Sequence, residues 1–600
     1  MLKAIEFIYK VFDRRDRFFL LIVLMSGLLL ALTDVAGIGS IFWFFSLSLD
    51  PNSLDGKYEF VGVAAKFFGL SGHQEILIMV GLAVLVIFVL RSIVAIFNVW
   101  ISEYFLLSRN HKFALMLLKI YIHKPYQYFL SENTSKMSKN LLMEVQRAML
   151  GVVGAFVKVI THGLLAVLVF TFLLMQEPES TLVILMVMST IYLALYLSIQ
   201  NIELKIGRVR VDSDEARYKT SREALDGIKE IKIFGMEDFF AKRFKTESLR
   251  FVKAELIHKV IIQVPQFLLE GVAFGGLMAV VVYYLIQGDA PGDVVAIVSL
   301  YALAAYRLLP AFKQIFSSFA EARYNEPAII MLLNDMSSDD IALAYATSKD
   351  KASSFKKNIL LESVYFAYND RGQNVISDIT LNINRNSMTA LVGSTGAGKS
   401  TVLDLILGLI RPSSGQILID GVKLSDEGVK GWQSQIGYVP QHIYLIDESI
   451  KRNIAFGLYN DEIDLSKLKH AAKLAHISDF IENELPEGYE TVVGERGVRL
   501  SGGQRQRLGI ARALYMMPSI IIFDEATSAL DGKTEAKINL AISDIAREVT
   551  IIMVTHRLSI LKKCENIVLL DAGSIKDVGN YDELIERSEL FTQLARTAGS

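Results

Sequence analysis

Hydrophobic positions divide the 600-residue chain into two unlike halves. In the first, apolar residues run on for about twenty positions or more at 18–45, 76–100, 149–175, 181–199, 260–286 and 294–316. A helix of about 20 apolar residues crosses the hydrocarbon core of a bilayer, so six membrane spans are expected. From 358 onward the pattern changes to short apolar runs of strand length that alternate with helical stretches, the pattern of an α/β domain. The segment 336–357, rich in Ser, Asp and Lys, reads as a linker. The expected organisation is a membrane all-α domain of six helices (1–335), the linker (336–357) and an α/β phosphate-loop ATPase domain (358–600). The first apolar run is too long for a cleaved leader and reads as a signal anchor.

Charge orients the spans. Lys3, Lys10, Arg14, Arg15 and Arg17 precede the first. The connection between spans two and three and the one between spans four and five are rich in Lys and Arg, whereas 176–180 and 287–293 contain neither. Basic connections stay on the cytoplasmic side. Both termini and the second half are therefore expected in the cytoplasm, with the chain in the cell inner (plasma) membrane. The two basic connections read as helical hairpins that outrun the bilayer, with tips at 125–133 and 223–238. Ile228, Ile231, Ile233 and Phe234 make the second tip apolar. The segment 48–72, on the other side, reads as a short interfacial helix or as a plain loop.

Four charges fall inside expected spans: Asp34, Arg91, Glu270 and Arg307. Charge at the centre of a bilayer costs roughly 2.5–3.5 kcal/mol per residue by insertion scales. Two readings stand side by side. The acids and bases neutralise one another, or Arg91, Arg307 and Glu270 line a water-filled cavity whose arginines meet an anionic substrate group. Pro265 and Pro310 are expected to kink spans five and six near that level.

Composition narrows the classes. A hydrophobic fraction of 52% fits a membrane protein, and a net charge of −2 supplies no basic field for nucleic acid. The single cysteine, Cys564, excludes an internal disulfide and any zinc site built on several cysteines.

The chemistry centres on Gly393-Ser394-Thr395-Gly396-Ala397-Gly398-Lys399-Ser400-Thr401, which fits G-x-x-x-x-G-K-[ST] between an apolar strand and a helix. Backbone N–H groups and a helix N-terminus cradle phosphates there, with Lys399 on the β- and γ-phosphates and Ser400 on Mg²⁺. Downstream, Ile520-Ile-Ile-Phe-Asp524-Glu525 is a buried strand ending in two carboxylates, one suited to Mg²⁺ and one to polarising water. Ser501-Gly502-Gly503-Gln504 opens an Arg-rich helix and forms a second anion site. One nucleotide has little use for two such sites from one chain, so two chains facing each other are expected. His556 follows another apolar strand, within reach of a γ-phosphate.

Over nearly its whole length the chain resembles the ATP-binding cassette (ABC) transporters of the exporter layout. Gly393–Thr401 is similar to the Walker A loop, Ile520–Asp524 to the Walker B strand, and Leu500–Gln504 to the family signature. Gln441 in Tyr438-Val-Pro-Gln441 is similar to the Q-loop glutamine that senses Mg²⁺, Asp531 to the D-loop aspartate, and His556 to the switch histidine. Tyr368 is similar to the aromatic that stacks on adenine, and Thr491–Gly497 to an exporter-specific loop near the coupling helices. The resemblance implies ATP and Mg²⁺ as cofactors, Glu525 as base, a homodimer that clamps two ATP molecules, hairpin tips that act as coupling helices, and alternating access in the bilayer. Arg91, Glu270 and Tyr306–Pro310 resemble runs in bacterial lipid-linked oligosaccharide flippases. That points to ATP-driven export or flipping of a lipid-linked or amphipathic substrate. A peptide or drug exporter, and an ATP-gated channel or membrane-bound regulator, remain the alternatives.

Overall fold

The computed structural model describes residues 2–49, 67, 69, 72–176, 178–287, 291–336, 355–368, 374–525, 532–546, 548–555 and 557–599; for a few of these inside helices only the backbone is described. The linker and the outer segment 48–72 thus lie almost wholly outside the described residues. The chain forms two compact units. One comprises residues 1–124 with 131–346, the other residues 125–130 with 347–600.

The first unit is a helical bundle. Its long helices are Arg14–Leu49, His73–His123, Gly154–Gln176, Pro178–Asp226, Glu237–Gln287 and Pro291–Asp335. Among the described residues, five helices are long and apolar enough to cross a bilayer: Arg14–Ser48, His73–His123, Thr134–Gln176, Pro178–Asp226 and Glu237–Tyr283. The sixth expected span, 294–316, lies on a helix whose side chains are described only from residue 298. At about 1.5 Å per residue, the 51 residues of His73–His123 extend about 76 Å, more than twice the hydrocarbon thickness. The helices therefore continue past the membrane, as the polar connections predict. Helices run through Pro265 and Pro310 without a break. Neighbouring backbone turns and side chains can take up a carbonyl that proline leaves unpaired inside a membrane helix.

Where the helices leave their apolar stretch, their packing becomes ionic. Two π-helical turns, Asn140–Glu144 and Arg147–Val153, sit in the third long segment. Glu144 is fully buried there and meets Arg147 at 3.1 Å, Arg210 at 3.5 Å and Lys139 at 3.8 Å. Arg147 also reaches Asp214 at 2.9 Å. Nearby, His258 stacks on Tyr324 and its Nδ1 lies 2.8 Å from Glu203. These groups come from four helices, so their pairing fixes how the helices register. The short helix Ile228–Phe234 closes the second hairpin. Ile228, Ile233 and Phe234 are exposed there, whereas Ile231 turns inward. The apolar tip expected from sequence therefore keeps three of its four members on the surface.

The second unit holds two sheets. An antiparallel sheet has the order β2-β1-β4-β5, with β1 Asn358–Phe366, β2 Ile376–Asn384, β4 Ser414–Ile419 and β5 Val422–Lys423. The other has the order β10-β9-β3-β8-β7-β6. Its strands are β3 Met388–Gly393, β6 Ile436–Val439, β7 Ile520–Asp524, β8 Thr550–Val554, β9 Asn566–Asp571 and β10 Ser574–Gly579. Strands β9, β3, β8, β7 and β6 are parallel; β10 is antiparallel. All six residues of β3 are buried, as a parallel sheet covered on both faces requires. Leu391 packs with β1, β2 and the helix Lys399–Ile406, while Ala390 and Val392 pack with the helix Gly502–Tyr515. The carboxyl ends of β3, β7 and β8 come together in this order, which is where open α/β sheets bind ligands.

Replacing Glu144 by Ala leaves the buried Lys139 and Arg210 and the partly buried Arg147 without their shared carboxylate. That change is expected to destabilise the bundle by about 3–5 kcal/mol, read as a lowered thermal aggregation midpoint of the purified protein, whereas an unchanged midpoint would show that the network carries no packing energy.

Candidate functional site

β3 ends at Gly393, where a side chain would lie 2.1 Å from the carbonyl oxygen of Leu570 on β9, so only glycine fits. The chain then turns through Ser394–Gly396, which are exposed, and enters the helix Lys399–Ile406 from Gly398 at φ +95°, a conformation that favours glycine. The result is a loop of backbone ending on a helix N-terminus. The Lys399 side chain folds into this loop. Its ammonium donates to the carbonyl oxygens of Gly393 at 2.7 Å and Ser394 at 2.9 Å. Burial lowers its pKa, against the pull of the Glu525 and Asp524 charges. The Ser400 hydroxyl is on an exposed residue, while Ala397 and Thr401 are buried.

Across from the loop, β7 delivers Asp524 and Glu525. Burial and the Glu525 charge raise the Asp524 pKa, while Lys399 and a hydrogen bond from Tyr438 oppose that rise. Glu525 takes φ +46°, which turns it out of the strand, while its N–H still donates to Val554 on β8 at 3.2 Å. The Gln441 amide nitrogen donates to the Glu525 carboxylate at 2.9 Å. Lys399, Asp524, Glu525 and Gln441, each singled out from sequence, are thus gathered at one sheet edge.

Two members of this cluster carry no motif signal of their own. Tyr438 stands on β6, three residues before Gln441, with its hydroxyl on Asp524. Asp404 stands one turn into the helix after the phosphate loop. Burial and the Asp524 charge push its carboxyl up to about 6. A polar residue beside a motif glutamine, and an acid in the otherwise apolar run 401–410, are the only traces they leave in the sequence.

Ser501 caps the helix Gly502–Tyr515. Its hydroxyl accepts from the Gln504 N–H at 3.2 Å, and the Gln504 side chain accepts from the Ser501 N–H at 2.7 Å. This reciprocal box occupies the Gln504 side chain in holding the helix start, while Ser501 and Gly502 remain exposed and Gly503 is buried. The arginines that follow are engaged with backbone: Arg505 donates to Leu500 at 2.8 Å, Arg507 to His476 at 2.7 Å and Arg512 to Tyr444 at 2.7 Å. Ser501–Gln504 and the phosphate loop therefore stand at two separate helix N-termini. Tyr368 is half-buried, edge-on to Phe366 at 4.9 Å between ring centroids. Thr491–Gly497 includes a left-handed Arg496 and a bridge from Val492 to Ser449. Asp531 and His556 lie outside the described residues.

The donor set suits a nucleotide with a divalent cation. Among the described residues no group of three or more His, Cys, Asp and Glu converges as a cage. An exposed serine hydroxyl, one strand-end carboxylate and a phosphate cradle match Mg²⁺, which keeps water and phosphate ligands and takes only one or two carboxylates.

In the bundle, Asp34 is 3% exposed and takes both arginines: Arg91 Nε at 2.8 Å and Arg307 at 3.4 Å. The three line one cavity of about 240 Å³ together with Asn98, His162 and Tyr306. The arginines are thus paired, as the neutralising reading expects, and they also line the cavity, two guanidinium groups to one carboxylate. Glu270 departs from expectation. It accepts from Gln266 on its own helix at 2.8 Å and does not line this cavity. Depth along a helix does not fix the face on which a side chain points.

The fold and site define a phosphate-loop ATPase joined to a membrane helical bundle. A family model described as ABC transporter matches residues 376–528, and one described as ABC transporter transmembrane region matches residues 23–306. An ATP-dependent lipid A-core flippase of Alcanivorax borkumensis is 31% identical over 484 residues, covering 79% of this chain and 80% of that one. A multidrug resistance ABC transporter ATP-binding and permease protein of Lactococcus lactis is 29% identical over 475 residues, 79% of each chain. Among solved structures, a bacterial Atm1-family ABC exporter with ATP bound superposes with a TM-score of 0.78 at 21% identity, over 96% of this chain and 98% of that one. The chain belongs to the ABC transporter family: it is an ATPase coupled to transport, of the exporter type.

The raised Asp404 carboxyl gives a pH signature. It ionises near pH 4 in the unfolded chain and near 6 in the folded one, so the folded state is favoured below about 4 and loses that advantage as pH rises through 6. In the nucleotide- and metal-free protein, Asp404→Asn is expected to stabilise the ATPase domain by about 1–3 kcal/mol above pH 7 and by nothing near pH 4. Denaturant melts at the two pH values check this, and an equal effect at both would contradict it.

Proposed function

We propose that two copies of this chain work as a homodimer in the inner membrane and export or flip an anionic, lipid-linked or amphipathic substrate, with the ATPase domains in the cytoplasm. ATP is held between the phosphate loop of one copy and the Ser501–Gln504 helix start of the other. The observation that carries this reading is the separation of two open anion sites in one chain, one with a lysine and two carboxylates and the other with neither. Two copies facing each other bring the unlike halves together twice.

In this reading Ser400, Asp524 and Gln441 hold Mg²⁺, which supplies positive charge to the phosphate oxygens. The loop N–H groups of Gly393–Thr401 bind the phosphate chain, Lys399 leaves its carbonyl partners for the terminal phosphates, and Tyr368 stacks on the base. Glu525 takes a proton from the attacking water, with Gln441 fixing its carboxylate. Asp531 links the copies, and His556 meets the terminal phosphate. Closure around ATP favours one arrangement of the bundle over another, and hydrolysis reverses that preference. The exposed apolar tip at 228–234 suits a coupling element that carries this change between bundle and ATPase.

The substrate assignment rests on the cavity of Asp34, Arg91 and Arg307. Two guanidinium groups sharing one carboxylate leave donors and net positive charge for a phosphate or pyrophosphate head group. The flippase name of the Alcanivorax relative supports a lipid cargo; the multidrug name of the Lactococcus relative supports the alternative of a drug exporter. In proteoliposomes, Arg91→Ala combined with Arg307→Ala is expected to lower translocation of a polyprenyl-phosphate probe by about tenfold, the worth of one charged hydrogen bond, with basal ATPase within about twofold. Equal loss of both activities, or stimulation by uncharged drugs that ignores the two changes, would overturn the anionic-lipid reading.

A further inference from the structure

The bundle holds a second and larger cavity, of about 610 Å³, on the opposite face of the helix Pro291–Asp335. Tyr306, Arg307, Pro310 and Ala311 of that helix line the charged cavity, whereas Ala304, Ala305, Leu308 and Leu309 line this one. Its facing wall comes from the helix Glu237–Gln287, where Ala273, Gly276 and Ala279 stand three residues apart on one face. Small side chains on both walls keep the space open. A Cβ added at Gly276 would meet nothing within 4 Å.

Its chemistry is sharply divided. The body is lined by Phe170, Leu173, Val183, Met188 and the alanines, so water would find no partners there. Leaving it empty would deprive those side chains of dispersion contacts. Its size lies within the range of small-molecule sites. Polar lining groups gather at one end, beside the turn into Pro178: Glu179, Ser180, Tyr283 and Tyr301, whose hydroxyl shares a hydrogen bond of 3.2 Å with Thr181. An occupant must be hydrocarbon along its body and polar at that end. The Glu179 carboxylate, on an exposed residue at the mouth, repels an anionic head and attracts an ammonium.

We infer that this cavity binds an acyl chain of an amine-headed phospholipid from the surrounding bilayer, with the ammonium at Glu179. The site is thus distinct in charge from the arginine-lined cavity and selects the opposite kind of lipid head. On the orientation proposed above, it opens to the outer leaflet. Filling it braces the helices Pro178–Asp226, Glu237–Gln287 and Pro291–Asp335 against each other, so occupancy sets how readily they separate.

The test is native mass spectrometry of the full-length protein purified from nanodiscs of equal phosphatidylethanolamine and phosphatidylglycerol. Wild type is expected to retain phosphatidylethanolamine preferentially. Gly276→Trp, which fills the space, is expected to lower retained lipid about tenfold, and the milder Ala273→Leu by a smaller factor. Glu179→Gln is expected to keep the total but reduce the preference for the amine head about fivefold, the worth of one exposed ion pair. Retention that is unaltered by both filling variants, or a head-group preference that survives Glu179→Gln, would overturn the inference; either result leaves the export reading standing.

Discussion

A buried ammonium is costly, and this chain arranges its ATPase site around one. Lys399 is 8% exposed and rests on two carbonyl oxygens of its own loop, in the field of Asp524 and Glu525. Those carbonyls are available because Gly393 allows β3 to run against β9 and Gly398 lets the chain reverse into a helix. The carboxylates are available because β7 and β3 flank β8, which brings residues more than a hundred positions apart to one edge. Burial, helped by the Asp524 charge, lifts the Asp404 carboxyl, and the Tyr438 hydroxyl hydrogen-bonds to Asp524. Strand order, loop shape and burial therefore converge on one charged site, and a polyanion with its cation is the ligand such a site suits.

The bundle meets the same constraint twice. Within the apolar stretch Asp34 is matched by two arginines. Beyond it Glu144 is matched by Arg147, Arg210 and Lys139. Removal of one partner from either group strands charge in a low-dielectric setting, which makes each group a register lock for the helices that supply it. The first group also lines a cavity of about 240 Å³ with Asn98, His162 and Tyr306, which is why the proposed substrate contact falls there.

Much of this was legible in the sequence because the signals are local. A run of about twenty apolar residues, a Gly-rich loop between strand and helix, and a strand ending in Asp-Glu each describe themselves. What escaped was relational. Sequence places Asp34, Arg91, Glu270 and Arg307 inside expected spans, yet the face on which each points depends on helix rotation, so it groups Glu270 with arginines that it does not join. Gln504 was read with the anion site, and its side chain instead completes the helix cap. Tyr438 and Asp404 lacked any motif, since their part comes only from the neighbours that the sheet supplies. The apolar cavity was invisible for a similar reason: Ala273, Gly276 and Ala279 read as ordinary small residues until the facing alanines at 304 and 305 are set against them.

The central claim is that each nucleotide is held by two chains. It is tested most directly by counting trapped ATP in purified mixed dimers that carry Glu525→Gln to slow turnover. When one copy bears Lys399→Ala and the other Ser501→Ala, both lesions fall in the same composite site, and one ATP per dimer should remain trapped. When one copy bears both changes and the other neither, each composite site is damaged and trapping should vanish. The reverse order, with trapping kept when both changes share a chain and lost when they are divided, would mean that Lys399 works with its own Ser501, and the account of a nucleotide clamped between copies would be wrong.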